Sequence, residues 1–352
     1  MSSNHITRRA VTASLLAAPF VISSAARAQG APLKLRLQGV GATVATLPDL
    51  YARVFKIYEK HGLDVEHLAP IYNANGAMQS VIQGSADVTY GGGSSVIAAL
   101  NQGRPIKLFG TVIQGFELKV SLAKGGLEKA AKAGATPASP IKDRAAAMKG
   151  MRIAAPASGS SSDLLLRYSF KKWGLDPVRD LVIQPMSDIP AMLAAVRQGA
   201  VDGLAGTAAT ANARAESEGV ATRYIAFEEE DPVLRSWPPY ALLASDDFLK
   251  KNMETARRLL MVFHEVKQAI RRGLTAEEIA AVKKVFFPDM ADKTLADGLA
   301  ISLPLLKTKL EPTHEQFDAL ILTNNAVQEV PAKFTFEQAF YTSLAAEIDK
   351  LP

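Results

Sequence analysis

The chain has 352 residues, with 40 Lys and Arg against 35 Asp and Glu, a formal charge of +5, and 48% hydrophobic residues. That length holds one large or two ordinary domains, with enough core to fold without staples. The absence of cysteine excludes disulfide scaffolds, thiolate zinc sites, thiolate-held iron–sulfur clusters and any cysteine nucleophile.

Residues 1–28 contain Arg8, Arg9 and Arg27 and no acidic residue. A basic start, an apolar stretch over 10–22 and small residues ending Ala26-Arg27-Ala28 read as an export signal peptide cleaved after Ala28. The apolar stretch falls short of the ~20 residues that span a bilayer. Thr7-Arg8-Arg9-Ala10-Val11 resembles a twin-arginine signal, although the usual Phe-Leu-Lys is missing. No cysteine follows, which excludes a lipid anchor. Without the three leader arginines the charge falls to +2. Lys and Arg form no run interleaved with aromatics, so nucleic acid is not an expected partner.

The pattern then alternates strand and helix. Strands are expected at 34–37, 65–68, 87–90 and 107–112. Leu47, Leu50, Tyr51, Val54, Phe55 and Tyr58 fall on one face of a single helix, with Pro48 in its first turn and Gly62 after its end. A second helix spans 76–83, and Gly91-Gly92-Gly93-Ser94-Ser95 turns into a third. The unit then returns. His61-Gly62-Leu63-Asp64 is echoed by Trp173-Gly174-Leu175-Asp176, and Gln83-Gly84-x-x-Asp87 by Gln198-Gly199-x-x-Asp202, at offsets of 112 and 115 residues. Strands at 152–154 and 181–183, helices around 164–168 and over 189–198, and a strand entering Ala205-Gly206-Thr207 complete it. The fold class is therefore α/β, with two similar lobes, each a mostly parallel sheet flanked by helices. The Ala-, Lys-, Pro- and Gly-rich stretch 128–149 reads as a surface excursion. Beyond a strand at 240–244 the chain reads as helical, with apolar stripes that are packing faces.

In such sheets ligands sit beyond the carboxyl ends of the strands. Four loops qualify: 38–43, 91–95, 158–162 and 205–207. Glycine admits close backbone approach, and Ser and Thr set hydroxyls beside free helix N–H groups, an arrangement suited to an anionic group. Taken singly, each such Ser or Thr is an ordinary helix cap; as facing loops they define a ligand site. The candidate ligand-binding residues are Gln38, Thr43, Gly93, Ser94, Ser95, Gln114, Ser160, Ser161, Thr207 and Tyr240. Trp237 is a further candidate to cover an apolar part of the ligand, and Trp173 is expected in the core.

Catalytic patterns are mostly missing. Gly39-x-Gly41 is followed by Val44 where a dinucleotide fingerprint wants Gly or Ala. Gly93-Ser94-Ser95 lacks the flanks of a nucleophile elbow. Ser121-x-x-Lys124 and Ser169-x-x-Lys172 lack partner motifs, and the five histidines are scattered. No catalytic residue, metal site or cofactor is expected.

His61-Gly62-Leu63-Asp64-Val65, Gln83-Gly84-Ser85-Ala86-Asp87-Val88, Gly103-Arg104-Pro105-Ile106-Lys107, Met148-Lys149-Gly150-Met151-Arg152-Ile153-Ala154 and Asp247-Phe248-Leu249-Lys250-Lys251-Asn252 together resemble a periplasmic substrate-binding protein of an ABC importer. The resemblance is to the nitrate/sulfonate/taurine type, akin to thiamine-pyrimidine-precursor proteins. It implies a two-lobe type 2-like binding-protein fold: 32–120 plus 241–352 as lobe one, and 121–240 inserted as lobe two. It also implies strands crossing between lobes at 118–123 and 240–244, and hinge closure on a small molecule. The implied protein is a periplasmic monomer that delivers its ligand to an ABC permease. A sensor component and an exported hydrolase are the rival readings, and pyrimidine-synthase relatives on this fold use a Cys-rich motif that is missing here.

Overall fold

The computed structural model describes residues 31–71, 74–186, 188–207, 211–328 and 331–352. The leader expected over 1–28, with its cleavage site, lies outside them. The first half runs β1 (Leu33–Gly39), α1 (Leu47–Val54), α2 (Ile57–Lys60), β2 (Leu63–His67), α3 (Ala74–Ile82), β3 (Val88–Gly91), α4 (Ser95–Asn101) and β4 (Ile106–Ile113). Next come β5 (Leu118–Ala123), α5 (Lys124–Lys132), α6 (Ile141–Ala147), β6 (Arg152–Ala155), α7 (Ser161–Lys172), β7 (Val182–Pro185) and α8 (Ile189–Arg197). The second half closes with β8 (Gly203–Thr207), α9 (Ala211–Ser217), β9 (Ala221–Ala226), α10 (Phe227–Glu230) and α11 (Val233–Ser236). The chain returns through β10 (Tyr240–Ser245) to α12 (Asp246–Lys251), α13 (Met253–Arg272), α14 (Ala276–Phe286), α15 (Asp292–Leu306), α16 (His314–Val327), α17 (Phe336–Ala339) and α18 (Ser343–Ile348).

These strands form two five-stranded sheets, ordered β2-β1-β3-β10-β4 and β7-β6-β8-β5-β9. Both are mixed but mostly parallel, with one strand in each running against the other four. β1 pairs parallel with β2 and β3, and β6 with β7 and β8. β10 runs antiparallel to β3 and β4, and β5 to β8 and β9. In each sheet the antiparallel strand is the first one laid down on arrival from the other half. The strands expected to cross between lobes therefore each belong to a single sheet. The chain changes sheets in the connectors 114–117 and 237–239.

The echoed Gln-Gly-x-x-Asp motifs have one job. Asp87 and Arg36 exchange backbone bonds, Asp87 N donating to Arg36 O at 3.0 Å, while the Asp87 carboxylate accepts the Arg36 N–H at 2.8 Å. Asp202 does the same with Arg152, at 2.7 and 2.9 Å. The glycine carbonyls join in: Arg36 Nη1 donates to Gly84 O and Arg152 Nη2 to Gly199 O. The motifs thus fasten β3 to β1 and β8 to β6, each where its parallel ladder begins.

Two elements differ from the sequence reading. The first helix breaks at Lys56, which adopts a left-handed backbone with φ 53°. The break turns Ile57 and Tyr58 into the core and lets the Tyr58 hydroxyl donate to Asp49 Oδ1 at 2.7 Å, while Phe55 stays at the surface. The stretch 128–149 is no excursion: α5 and α6 pack on the second sheet, with Ala130, Ala135, Ala145, Ala147 and Met148 buried. Alanine-rich composition misled because small side chains serve close approach as well as exposure. A Cβ on Gly126 would stand 2.3 Å from Asp202 O, and Arg144 reaches across to Tyr224 O at 3.0 Å and to Glu230.

The cores follow this layout. One apolar cluster fills the face of the first sheet covered by α1, α13 and α18, and a small one lies under α8 and α9. The third is shared. It runs from Met78, Val96 and Leu108 in the first half through Phe116 and Trp237 to Leu118, Ile153 and Leu165 in the second.

Candidate functional site

Parallel pairing aligns the carboxyl ends of β1 and β3 in one sheet and of β6 and β8 in the other, so their following loops share one end of each sheet. Two of these loops meet. Ser94 Oγ lies 3.2 Å from Ser161 Oγ, joining the turn after β3 to the first residue of α7. Asn75, in the first turn of α3, donates from Nδ2 to Gly159 O at 3.2 Å and accepts from Ser95 Oγ at 3.4 Å. Gly92 and Gly93 allow this approach. A Cβ on Gly92 would meet Ser161 Oγ at 3.0 Å, and one on Gly93 would stand 2.3 Å from Pro238 O. Gly93 N donates to that same carbonyl at 3.2 Å.

Behind the serines, α7 is capped conventionally. Ser160 Oγ accepts from Asp163 N at 3.2 Å, and the Asp163 carboxylate takes Gly159 N and the Arg167 guanidinium. The cap reading thus describes Ser160, while Ser161 turns toward the other sheet. β10 pairs Ala241 with Gly91, which sets Tyr240 beside the 91–95 loop. The Tyr240 ring packs on Tyr90 at 5.7 Å, its hydroxyl bonds with Thr43, and burial holds its pKa above the ordinary tyrosine value.

The remaining candidates have contacts or positions of their own. Gln38 is buried, its Nε2 donating to Gly39 O and Ala69 O, so it stitches the loop after β1 to the loop after β2. Gln114 accepts from Gln316 Nε2 at 3.3 Å, at the start of α16. Thr207 ends β8 opposite Leu118. Trp237 is fully buried, donating to Thr323 Oγ1 at 3.1 Å and packing edge-on against Phe116. It is a core residue of the connector and offers no surface to cover a ligand. Trp173 closes α7 within the core, as expected. Asn75 escaped the sequence reading because only four strand ends were considered. The same rule applied to the carboxyl end of β2 leads to the segment that carries it.

Each connector has its own character. Gly115 adopts φ 93°, a conformation suited to glycine, with Arg235 O only 3.2 Å from where its Cβ would be. The other connector carries Pro238 and Pro239, whose rings fix φ. In the first connector the Glu117 carboxyl is pushed up to about 7 by burial, with Lys119 opposing and Glu228 reinforcing the shift. Glu117 Oε2 is buried without a hydrogen-bond partner among the described residues.

The four described histidines are engaged elsewhere. His61 and His67 face Glu265 and Asp49, His264 meets Gln268, and His314 stacks on Phe336. Among the described residues, the side-chain contact of Ser94 and Ser161 is with each other. Among the described residues no His, Asp and Glu group could hold a metal ion, and no helix is long and apolar enough to cross a membrane. The meeting point therefore offers neutral donors and acceptors together with the N-terminus of the 12-residue helix α7, whose first N–H groups favour negative charge. That is chemistry for holding a small polar group.

Residues 29–284 match the NMT1-like family, and the chain belongs to it. No curated protein matches. Among solved structures, a Bordetella bronchiseptica RB50 protein aligns at TM-score 0.71 and 20% identity, covering 90% of this chain and 97% of its own. The periplasmic aliphatic sulphonate binding protein SsuA of Escherichia coli aligns at 0.65 and 20%, covering 86% and 95%. The periplasmic nitrate-binding protein NrtA of Synechocystis PCC 6803 aligns at 0.62 and 16%, covering 91% and 86%. The fold is that of a two-lobe periplasmic binding protein.

Proposed function

We propose that this chain is an exported solute-binding protein. It captures a small anionic solute, of the organic acid, sulfonate or nitrate kind, between its lobes and delivers it to an ABC permease. On this reading residues 1–28 direct export to the periplasm and are cleaved after Ala28, and the mature protein acts as a monomer without catalysis. Lobe one is 32–120 plus 241–352, and lobe two is 121–240. The observation that carries the reading is the meeting of Ser94 and Asn75 from one sheet with Ser161 and Gly159 from the other. Ser95, Gly93, Thr43 and Tyr240 surround it, with Gln38, Gln114, Ser160 and Thr207 as the outer candidates. The sulphonate- and nitrate-binding names of two structural neighbours support the solute class.

A thermal-shift screen of the mature protein tests it, using short carboxylates, alkanesulfonates, nitrate and, as neutral controls, pyrimidines. A ligand at a hundred times its dissociation constant stabilises by roughly 2.7 kcal/mol. Ser94→Phe should abolish the shift while leaving the unliganded melting curve in place. Tight binding of neutral compounds with no response to any anion would sink the solute class. A shift that survives Ser94→Phe would move the site elsewhere.

A further inference from the structure

Helix α16 lies where a protein hinged only by its two connectors would need nothing. Its start is held by the first half. Thr111 Oγ1 donates to Gln316 Oε1 at 2.7 Å, and Thr111 N donates to Leu310 O at 2.7 Å in the segment leading into the helix. Asp349 accepts Leu310 N and Glu311 N, while Lys267 donates to Thr308 O at 3.0 Å. The helix then leaves this anchorage. Its buried positions Gln316, Phe317, Ala319, Leu320, Thr323 and Asn324 form one face, and Phe317, Ala319 and Leu320 lie in the core common to both halves. Midway, Thr323 receives the Trp237 indole N–H of the second connector, and Trp237 in turn packs on Phe116 of the first. Ser236 also bonds to Glu315. At the far end Ala326 O accepts from Lys171 Nζ at 2.7 Å, on α7 of the second half.

The same α7 presents Ser161 to Ser94. Its first residue is at the site and its penultimate residue is on α16, about 15 Å away along the axis at 1.5 Å per residue. We propose that α16 is a strap, a third and non-covalent tie between the lobes, and that α7 is the lever it holds. The strap sets how far the lobes part. Any rotation that carries Ser161 away from Ser94 drags the far end of α7 across α16 and strains the Trp237–Thr323 bond.

The test needs no ligand, so it is independent of the solute assigned above. The chain has no cysteine, which leaves spin labels at Ala42→Cys and Asp188→Cys without background. Both positions are exposed, one in the loop after β1 and the other just beyond β7. Pulsed electron spin resonance then reads the distance between the two lips. Trp237→Phe with Lys171→Ala removes two hydrogen bonds of the strap and keeps its apolar packing. A matched control, Val282→Ala in α14, destabilises the first half away from the strap. The strap variant should shift the distribution to longer and broader distances, with the control unchanged. An unchanged distribution in the folded strap variant overturns the proposal. So does equal broadening in the control, which would mean general loosening.

Discussion

An aspartate after a Gln-Gly turn ties β3 to β1 in one half of the chain and β8 to β6 in the other, yet the two ties are reinforced differently. In the first half Arg36 does everything. Its guanidinium forks onto Asp87 at 2.6 Å and the pair stays partly exposed, the Asp87 side chain at 21%. In the second half Arg152 contributes its backbone N–H and reaches Gly199, but the cation on Asp202 is Lys129 at 2.7 Å, and the Asp202 side chain is 8% exposed. Lys129 comes from α5, the segment that composition alone presented as an excursion. The difference lies in α5, which supplies the cation to the more buried of the two aspartates and, through Gly126, brings its backbone against Asp202 O at the start of β8.

Breaking the second tie should hurt more than breaking the first. The largest loss is expected for Gly126→Val, whose side chain has no room beside Asp202 O. Overpacking of this kind costs about 3 kcal/mol, read as a lower urea midpoint. A neutral result would mean that α5 can back away from β8. Next come the paired deletions. Asp202→Ala removes a carboxylate, itself mostly buried, from a part-buried backbone N–H and a lysine and should cost ~2–3 kcal/mol, against ~1–2 kcal/mol for the more exposed Asp87→Ala. Equal losses would erase the distinction.

The second tie also responds to acid. Burial opposes ionisation of Asp202, but the bonds from Lys129 and Arg152 N–H outweigh it, so its pKa lies below the ordinary 3.8. The stability it adds is present above that value and is lost as pH falls through the depressed folded one. Asp202→Asn should therefore flatten the acid limb of the stability curve. A separate pH dependence belongs to the boundary between the halves. The Glu117 carboxyl is raised to about 7, so the folded state holds a proton that the unfolded chain releases near 4.5. Stability contributed by that proton is full at low pH and falls as pH rises toward 7 and beyond. Glu117→Gln should remove this slope between pH 5 and 8 in a series of melting curves. A slope that persists would assign it to another group.

Much of this was legible in the sequence. The strands, the glycine-ended helices and the recurrence of Gln-Gly-x-x-Asp are written in local pattern, and local pattern is what spacing reports. The partners of the two aspartates are not, since Arg36 and Arg152 lie 51 and 50 residues away and only register brings them together. Ser94 and Ser161 were readable as loop hydroxyls beyond strand ends, but their meeting depends on how two sheets face each other. Trp237 was misjudged for a related reason. An aromatic beside a connector looks available until Thr323, 86 residues on, is seen to hold its N–H. The break at Lys56 also hid, because the apolar spacing from Leu47 to Tyr58 suits an unbroken helix, and the pull of Asp49 on Tyr58 is tertiary.

The core that runs through Phe116 and Trp237 has a thermodynamic consequence. Side chains of both halves bury one another there, so neither half can melt and leave the other with its interior intact. Heating should give one cooperative transition rather than two. The stretch 121–240 expressed alone would expose the apolar surface that α16 and the connectors cover, and it should not fold as a separable module.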